Sequence, residues 1–278
     1  MSTDSHSLHG LHDPTKNRSL REDLNRIWKR RGYVVYSSVS ELRAKEMDTF
    51  LGNLWHLLNP ALRVLVYFVV FGVILNTSRG VDNFLSFVAI GVFAYSFMRS
   101  SVVGGARSIV GSRGLIQSFD FPRALLPISR TGAELAAFIP PMIVMFAVAL
   151  STGETLSLRW FLIPLILAIQ VMFSLGMAFF AARLTFHFPD FNNILEFVFR
   201  MAFYFSGVLF LVDRYVTDPT LRTIADLNPL LDYLSLYRWA IMDMPVSSLL
   251  VVSAIAWAFL GLPAGYLWFR RRETSYGA

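Results

Sequence analysis

The sequence predicts an all-α integral membrane protein with six transmembrane helices, and three observations carry that reading. Of its 278 residues, 55% are hydrophobic and only 16% are charged, whereas a soluble domain carries about a quarter charged residues. The apolar residues gather into runs close to the roughly 20 that a helix needs to cross a bilayer core of about 30 Å. The basic residues collect between alternate runs, the asymmetry that orients helices in a membrane. Cysteine is absent, so neither a disulfide nor a thiolate site is available.

Residues 1–18 are polar and predict a disordered tail. His6, His9 and His12 lie three apart there, a spacing that a solvated tail explains better than a metal site. Residues 19–59 predict cytoplasmic amphipathic interface helices. Leu20, Leu24, Ile27 and Trp28 share one face beside Arg21, Arg26 and Lys29. Met47, Phe50, Leu51, Leu54, Trp55 and Leu58 make a stronger face at three- and four-residue steps. Such helices lie in the interface plane, either as anchors or as docking elements for a cytoplasmic partner. The first fifty residues hold no apolar core of signal-peptide type.

Residues 60–272 are expected to hold the six spans. They run near Pro60 to Leu75, Phe84 to about Val103, about Leu126 to Leu150, Trp160 to about Leu184, Ile194 to Val212, and Ser247 to Phe269. The segment Asp213 to Pro245 contains NPLLDYLSLYRWAIM, too apolar for a loop and too short to span. A re-entrant or interfacial helix before the last span satisfies both constraints. In the last span, Gly261 and Gly265 form a GxxxG that permits close helix contact. Residues 273–278 read as a short cytoplasmic tail.

One set of span ends carries nine N-terminal Lys and Arg, then Arg107, Arg113, Arg123, Arg183 and Arg270 to Arg272. The other set carries Arg79, Arg159, Arg214, Arg222 and Arg238. This imbalance places both termini in the cytoplasm. The net charge of +6 is therefore juxtamembrane, suited to anionic lipid rather than nucleic acid.

A phosphate-binding P-loop needs a lysine after glycine. The three lysines, Lys16, Lys29 and Lys45, follow Thr15, Trp28 and Ala44, so any ATP must be bound by another chain. No residue pattern marks a catalytic or metal site; HFPDF at His187 to Phe191 reads as a polar turn. Intramembrane charges cost about 2.5–3.5 kcal/mol each and are usually paired. Arg130 and Glu134, and Glu196 and Arg200, are each four apart and can close on a helix face. A proton-coupled secondary transporter would use such carboxylates, but it usually shows inverted repeats, and none is evident. Aromatic residues concentrate on spans 1, 2 and 5: Tyr67, Phe68, Phe71, Phe93, Tyr95, Phe199, Phe203 and Tyr204. Their faces suit sugar rings, while core packing and lipid contact are the commoner uses.

FLGNLWHLLNPAL (50–62), GLIQSFDFPRALLPIS (114–129), FHFPDFNNIL (186–195) and NPLLDYLSLYRWAI (228–241) occur in this order across the chain. Together they resemble the ABC-2 type (type V exporter) permeases that export lipid-linked polysaccharides such as O-antigen, teichoic acid or cell-wall galactan. The family often has Arg-Asp where this chain has Pro189 and Asp190, and the first forty residues fall outside the likeness. The resemblance implies a homodimer in the bacterial inner membrane with two copies of a separate ATPase subunit, which would bind ATP and Mg. This chain would carry no cofactor and no catalytic residue. The helix after span 2 would couple to the ATPase through Arg113, Leu115, Ile116, Gln117, Phe119, Asp120, Phe121 and Arg123. Spans 1 and 5 would line the path of a polyprenyl-pyrophosphate-linked glycan past the aromatics. Arg21, Arg26, Lys29, Arg30 and Arg31 would attract its pyrophosphate. A drug- or lipid-exporting ABC-2 permease is the nearest rival.

Overall fold

A computed structural model describes residues 19–44, 55–75, 80–118, 121–216, 218–273 and 276, side chains of 41–44 and 56 aside; the N-terminal tail and most of the stronger amphipathic stretch lie outside them. The described residues are helical, with no strand among them. Five helical segments are long and apolar enough to cross a membrane: Leu57–Ile74, Phe84–Arg107, Leu125–Ser151, Leu158–His187 and Ser248–Arg270. These match five of the six expected spans within a few residues.

The sequence dictates how each begins and bends. Helix α1 (Leu20–Lys29) starts at Ser19, whose side chain accepts from Glu22 N–H while Glu22 reaches back to Ser19 N–H, a capping box that satisfies two otherwise orphaned donors. Helix α2 (Arg31–Ala44) follows and packs on α6 (Leu125–Ala137), where Ser38 Oγ donates to Ser129 O at 2.8 Å. The first span is α3 (Trp55–Tyr67) continued by a π-helical stretch, Phe68–Ile74. The third is two helices, α6 and α7 (Ile139–Ser151), meeting at Phe138. Pro140 and Pro141 follow that break; proline lacks the N–H that would continue the ladder and clashes with the preceding turn.

Helix α4 (Phe84–Arg107) is the central post, with 72% of its most apolar window buried inside the protein. Helix α8 (Ile163–His187) packs along it, and α13 (Ser248–Arg270) packs on α8. Those two touch backbone to backbone: a Cβ on Gly265 would sit 2.2 Å from Gly176 O, and one on Gly176 would sit 2.6 Å from Gly261 C. The GxxxG thus works against a glycine on α8.

Two ends emerge from the contacts. At one, Arg270 pairs with Asp23, and Arg107 with Glu196. At the other, Asn83 caps α4, accepting from Ser86 N–H, and donates to Thr152 Oγ1 at 2.7 Å and Glu154 Oε1 at 2.8 Å. Asn83→Ala removes a cap and the tie to the α7 terminus. It is expected to cost about 1–2 kcal/mol, read as a lower melting midpoint in detergent.

The fifth expected span, Ile194 to Val212, departs from the sequence reading. Helix α9 (Phe191–Phe205) has 15 residues and breaks at Ser206, short of the run that crosses a bilayer alone. Gly207 adopts a positive φ of 68°, where glycine pays no side-chain penalty. The chain then continues through Ser206–Leu211, short helices α10 (Val212–Tyr215) and α11 (Pro219–Ala225), and α12 (Pro229–Met242). Helix α12 corresponds to the expected short apolar segment and buries nine of its residues, including Tyr233, Tyr237 and Arg238.

Candidate functional site

The corner after α4 is built from a 3-10 turn at Val110–Ser112 and α5 (Arg113–Ser118). Ile116 and Phe121 turn inward, into a cluster with Ile109, Leu125, Phe179, Phe269 and Tyr276, and Leu115 packs against it. The sequence reading offered these residues as apolar knobs for a partner. The structure instead spends Ile116 and Phe121 on the chain's own core, because the corner must cover the ends of α8 and α13. Arg123 is likewise engaged: its backbone N–H donates to Glu273 Oε1 at 2.9 Å and its guanidinium to Glu273 O. Tyr276 folds back on the end of α13, donating to Phe269 O at 2.9 Å, and burial pushes its phenol well above the ordinary range. Arg113 and Gln117 remain exposed on the corner's outer face. Phe119 and Asp120 lie outside the described residues.

Beside this corner lies a cleft of about 500 Å³ between α2, α4 and α6. Arg99, Ser100, Val103, Gly104, Arg107 and Ser108 supply its α4 wall, a single helix face at four-residue steps. Tyr33 and Ser37 come from α2, and Ser129, Arg130 and Glu134 from α6. A Cβ on Gly104 would sit 2.7 Å from Arg130 Nε, so this glycine lets the arginine lie against α4. A second cavity of about 240 Å³ shares Ser100 and Glu134 with the first and continues past Arg63.

The expected charge pairs divide. Arg130 and Glu134 close at 3.4 Å as the spacing predicted. Glu196 instead pairs with Arg107 on α4, and Arg200 points outward, exposed. Cross-helix geometry overrides the local four-residue spacing here, because the α9 start packs against the α4 end. On α1 and at its junction with α2, Arg21, Lys29, Arg30 and Arg31 are exposed and Arg26 is half-buried. They form a solvated basic face, with Arg31 also stacked over Trp28 at 5.2 Å.

The aromatic residues divide too. Tyr95 is 1% exposed, donating to Phe199 O at 2.5 Å. Phe93 and Phe199 are buried as well. These three pack into the core around the central α4, and of them only Phe93 reaches the wall of the second cavity. Tyr67, Phe68, Phe71 and Phe203 are half-buried and Tyr204 is exposed. Tyr67 and Phe203 meet at 5.2 Å between ring centres, joining the first span to α9.

Sequence reasoning counted Arg238 only among the arginines at one set of span ends. It is 3% exposed. Its guanidinium donates to Gly207 O at 2.9 Å, Val208 O at 3.0 Å and Phe87 O at 3.3 Å, and lies 3.4 Å over the Phe87 ring. It satisfies carbonyls freed where α9 breaks. Arg63 and Arg99 were passed over because apolar neighbours dominate their spans; a charge inside a span was the available signal. No cluster of three metal-ligating side chains occurs among the described residues.

An all-helical bundle with five bilayer-length apolar segments and a polar cleft at one end defines a multi-pass membrane protein. The chain belongs to the ABC-2 type transporter family, whose model matches residues 41–242. It is 27% identical over 212 residues to an O-antigen export system permease protein, RfbA, of Myxococcus xanthus, covering 76% of this chain and 81% of that one. It is 25% identical over 235 residues to the O-antigen export system permease protein RfbA of Klebsiella pneumoniae, covering 82% and 89%.

Proposed function

We propose that this chain is the membrane permease subunit of an ATP-driven exporter that moves a polyprenyl-pyrophosphate-linked polysaccharide out of the cytoplasm. Family membership carries the transporter reading, and the two O-antigen export permeases, each matched over more than three quarters of its length, support a polysaccharide substrate. The chain has no lysine placed for a P-loop, so ATP and Mg belong to a separate ATPase subunit, present as two copies beneath a dimer of this chain. Catalysis is not assigned to any of its residues.

Helix α9 with Ser206–Leu211 then serves as a sixth crossing, completed by α12 as a re-entrant helix. That topology puts the basic α1, the α5 corner, Glu273 and Tyr276 on the cytoplasmic side of the bacterial inner membrane. The ATPase contacts the corner through its exposed face, Arg113 and Gln117, rather than through the buried Ile116 and Phe121. The half-buried and exposed aromatics Tyr67, Phe68, Phe71, Phe203 and Tyr204 face the path between the two copies.

The test is co-purification of this chain with its cognate ATPase, followed by ATP hydrolysis in liposomes. Arg113→Glu with Gln117→Glu is expected to weaken the complex or lower its membrane-coupled ATPase rate at least about tenfold, equal to 1.4 kcal/mol of contact. Full activity in this variant would remove the corner from the interface. Failure of any ATPase to bind the wild-type chain would remove the ATP-driven reading.

A further inference from the structure

The cleft beside the α5 corner carries a charge pattern that scaffolding does not require. Three arginines, Arg99, Arg107 and Arg130, line it against one carboxylate, Glu134. Glu134 pairs with Arg130, and Arg107 pairs with Glu196. Arg99 is half-buried and makes no ion pair or hydrogen bond among the described residues. It lies eight residues before Arg107 on α4, about 12 Å further along the helix. A charge at that depth is costly unless something pairs with it.

The surrounding groups define what would pair. Ser37, Ser100, Ser108, Ser112 and Ser129 line the same cleft, adding hydroxyls to the guanidiniums. Planar guanidiniums with nearby hydroxyls suit the several oxygens of a phosphate, which they grip as charge-assisted, two-pronged hydrogen bonds. Beyond Ser100 and Glu134 the adjoining cavity changes character. It keeps one more cation, Arg63, but its walls are Trp55, Phe93, Phe97, Phe138 and Pro141. Helix α3, which closes its side, is largely uncovered: only 6% of the first span is buried inside the protein. A polar anchor opening into an apolar sleeve beside an uncovered apolar helix fits an amphiphile, not a soluble anion.

We propose that this cleft binds the phosphate headgroup of a lipid, with Arg99 as its central contact and the adjoining apolar cavity holding the first part of the lipid chain. The assignment rests on the lipid-linked substrate reading above and moves headgroup recognition from the exposed α1 arginines into the fold.

The test is equilibrium binding of radiolabelled undecaprenyl diphosphate to the full chain in phosphatidylcholine nanodiscs, with no ATPase present. The ATP-driven reading can therefore fail while this binding stands, and the reverse. Arg99→Gln is expected to weaken binding at least tenfold, Arg99→Lys by less than about threefold, and Arg30→Gln with Arg31→Gln to leave it unchanged. A monodisperse elution profile for each variant, with the retained Arg99→Lys affinity, separates lost contact from lost fold. Inorganic pyrophosphate is expected to compete only at more than 100-fold excess. Wild-type binding by Arg99→Gln, or an equal loss in the Arg30 and Arg31 variant, would overturn the site. Displacement by equimolar pyrophosphate would overturn the lipid.

Discussion

Replacing Arg238 with Leu is expected to destabilise the protein by about 3 kcal/mol or more, with loss of export. The estimate comes from the three carbonyls of Phe87, Gly207 and Val208 that this guanidinium satisfies. Each buried acceptor left without a donor costs about 1–3 kcal/mol, and leucine supplies none. Lysine would keep the charge but can place a single ammonium near only part of this set, so Arg238→Lys should fall between the two. Gly91→Ala offers an independent check without touching the arginine. A Cβ there would meet the Arg238 guanidinium at 2.7 Å and Val208 O at 2.8 Å, forcing the same joint apart. The measurement is the thermal unfolding midpoint of the purified chain in detergent, with protease accessibility of residues 206–216 as the local readout. Wild-type stability in both Arg238→Leu and Gly91→Ala would show that the break after α9 does not depend on this joint.

The second large effect is expected at Gly265. Gly265→Leu drives a side chain into Gly176 O, already 2.2 Å from the position of a mere Cβ. Overpacking of a tight contact costs about 1–3 kcal/mol when neighbours can yield, and here the neighbour is backbone. Loss of folded protein from the membrane fraction is the expected result. Gly261→Ala should be far milder, since the nearest atom to its Cβ is Phe173 Cδ2 at 3.9 Å. Comparable damage at both positions would mean that general helix propensity, not the crossing, sets the cost.

Why one glycine of the GxxxG matters more than the other was not visible in the sequence, because the partner Gly176 is 89 positions away in the chain from Gly265. The same limit runs through the rest. Five spans were legible because length and hydropathy are local properties. The fifth expected span was not, because its apolar run continues through Ser206–Leu211 while the backbone breaks there, and the residue that stabilises the break, Arg238, comes 30 residues later. Arg130 with Glu134 was readable from spacing; Arg107 with Glu196 needed the packing of α4 on α9. The polar character of the α5 corner was evident from Arg113 and Gln117, whereas the inward turn of Ile116 and Phe121 depends on helices α8 and α13, far along the chain. Arg99 was hidden by its neighbours: a single charge barely lowers the mean over a window of eighteen.

The backbone contact between α8 and α13 also sets where this molecule is stiff. Side chains between helices act as compliant spacers that can change rotamer when helices slide, and packed interfaces shift by small shear. At Gly176, Gly261 and Gly265 there are no such spacers, so these two helices behave mechanically as one beam. Bending is left to the helices that are already interrupted, the first span at its π-helical stretch and the third at Phe138. Spin labels across the α8 and α13 seam should then keep a fixed separation through the ATP cycle of the proposed exporter, while labels on either side of Phe138 change theirs. A protein built this way has a rigid half and a compliant half, and the arginine-lined cleft lies on the compliant one.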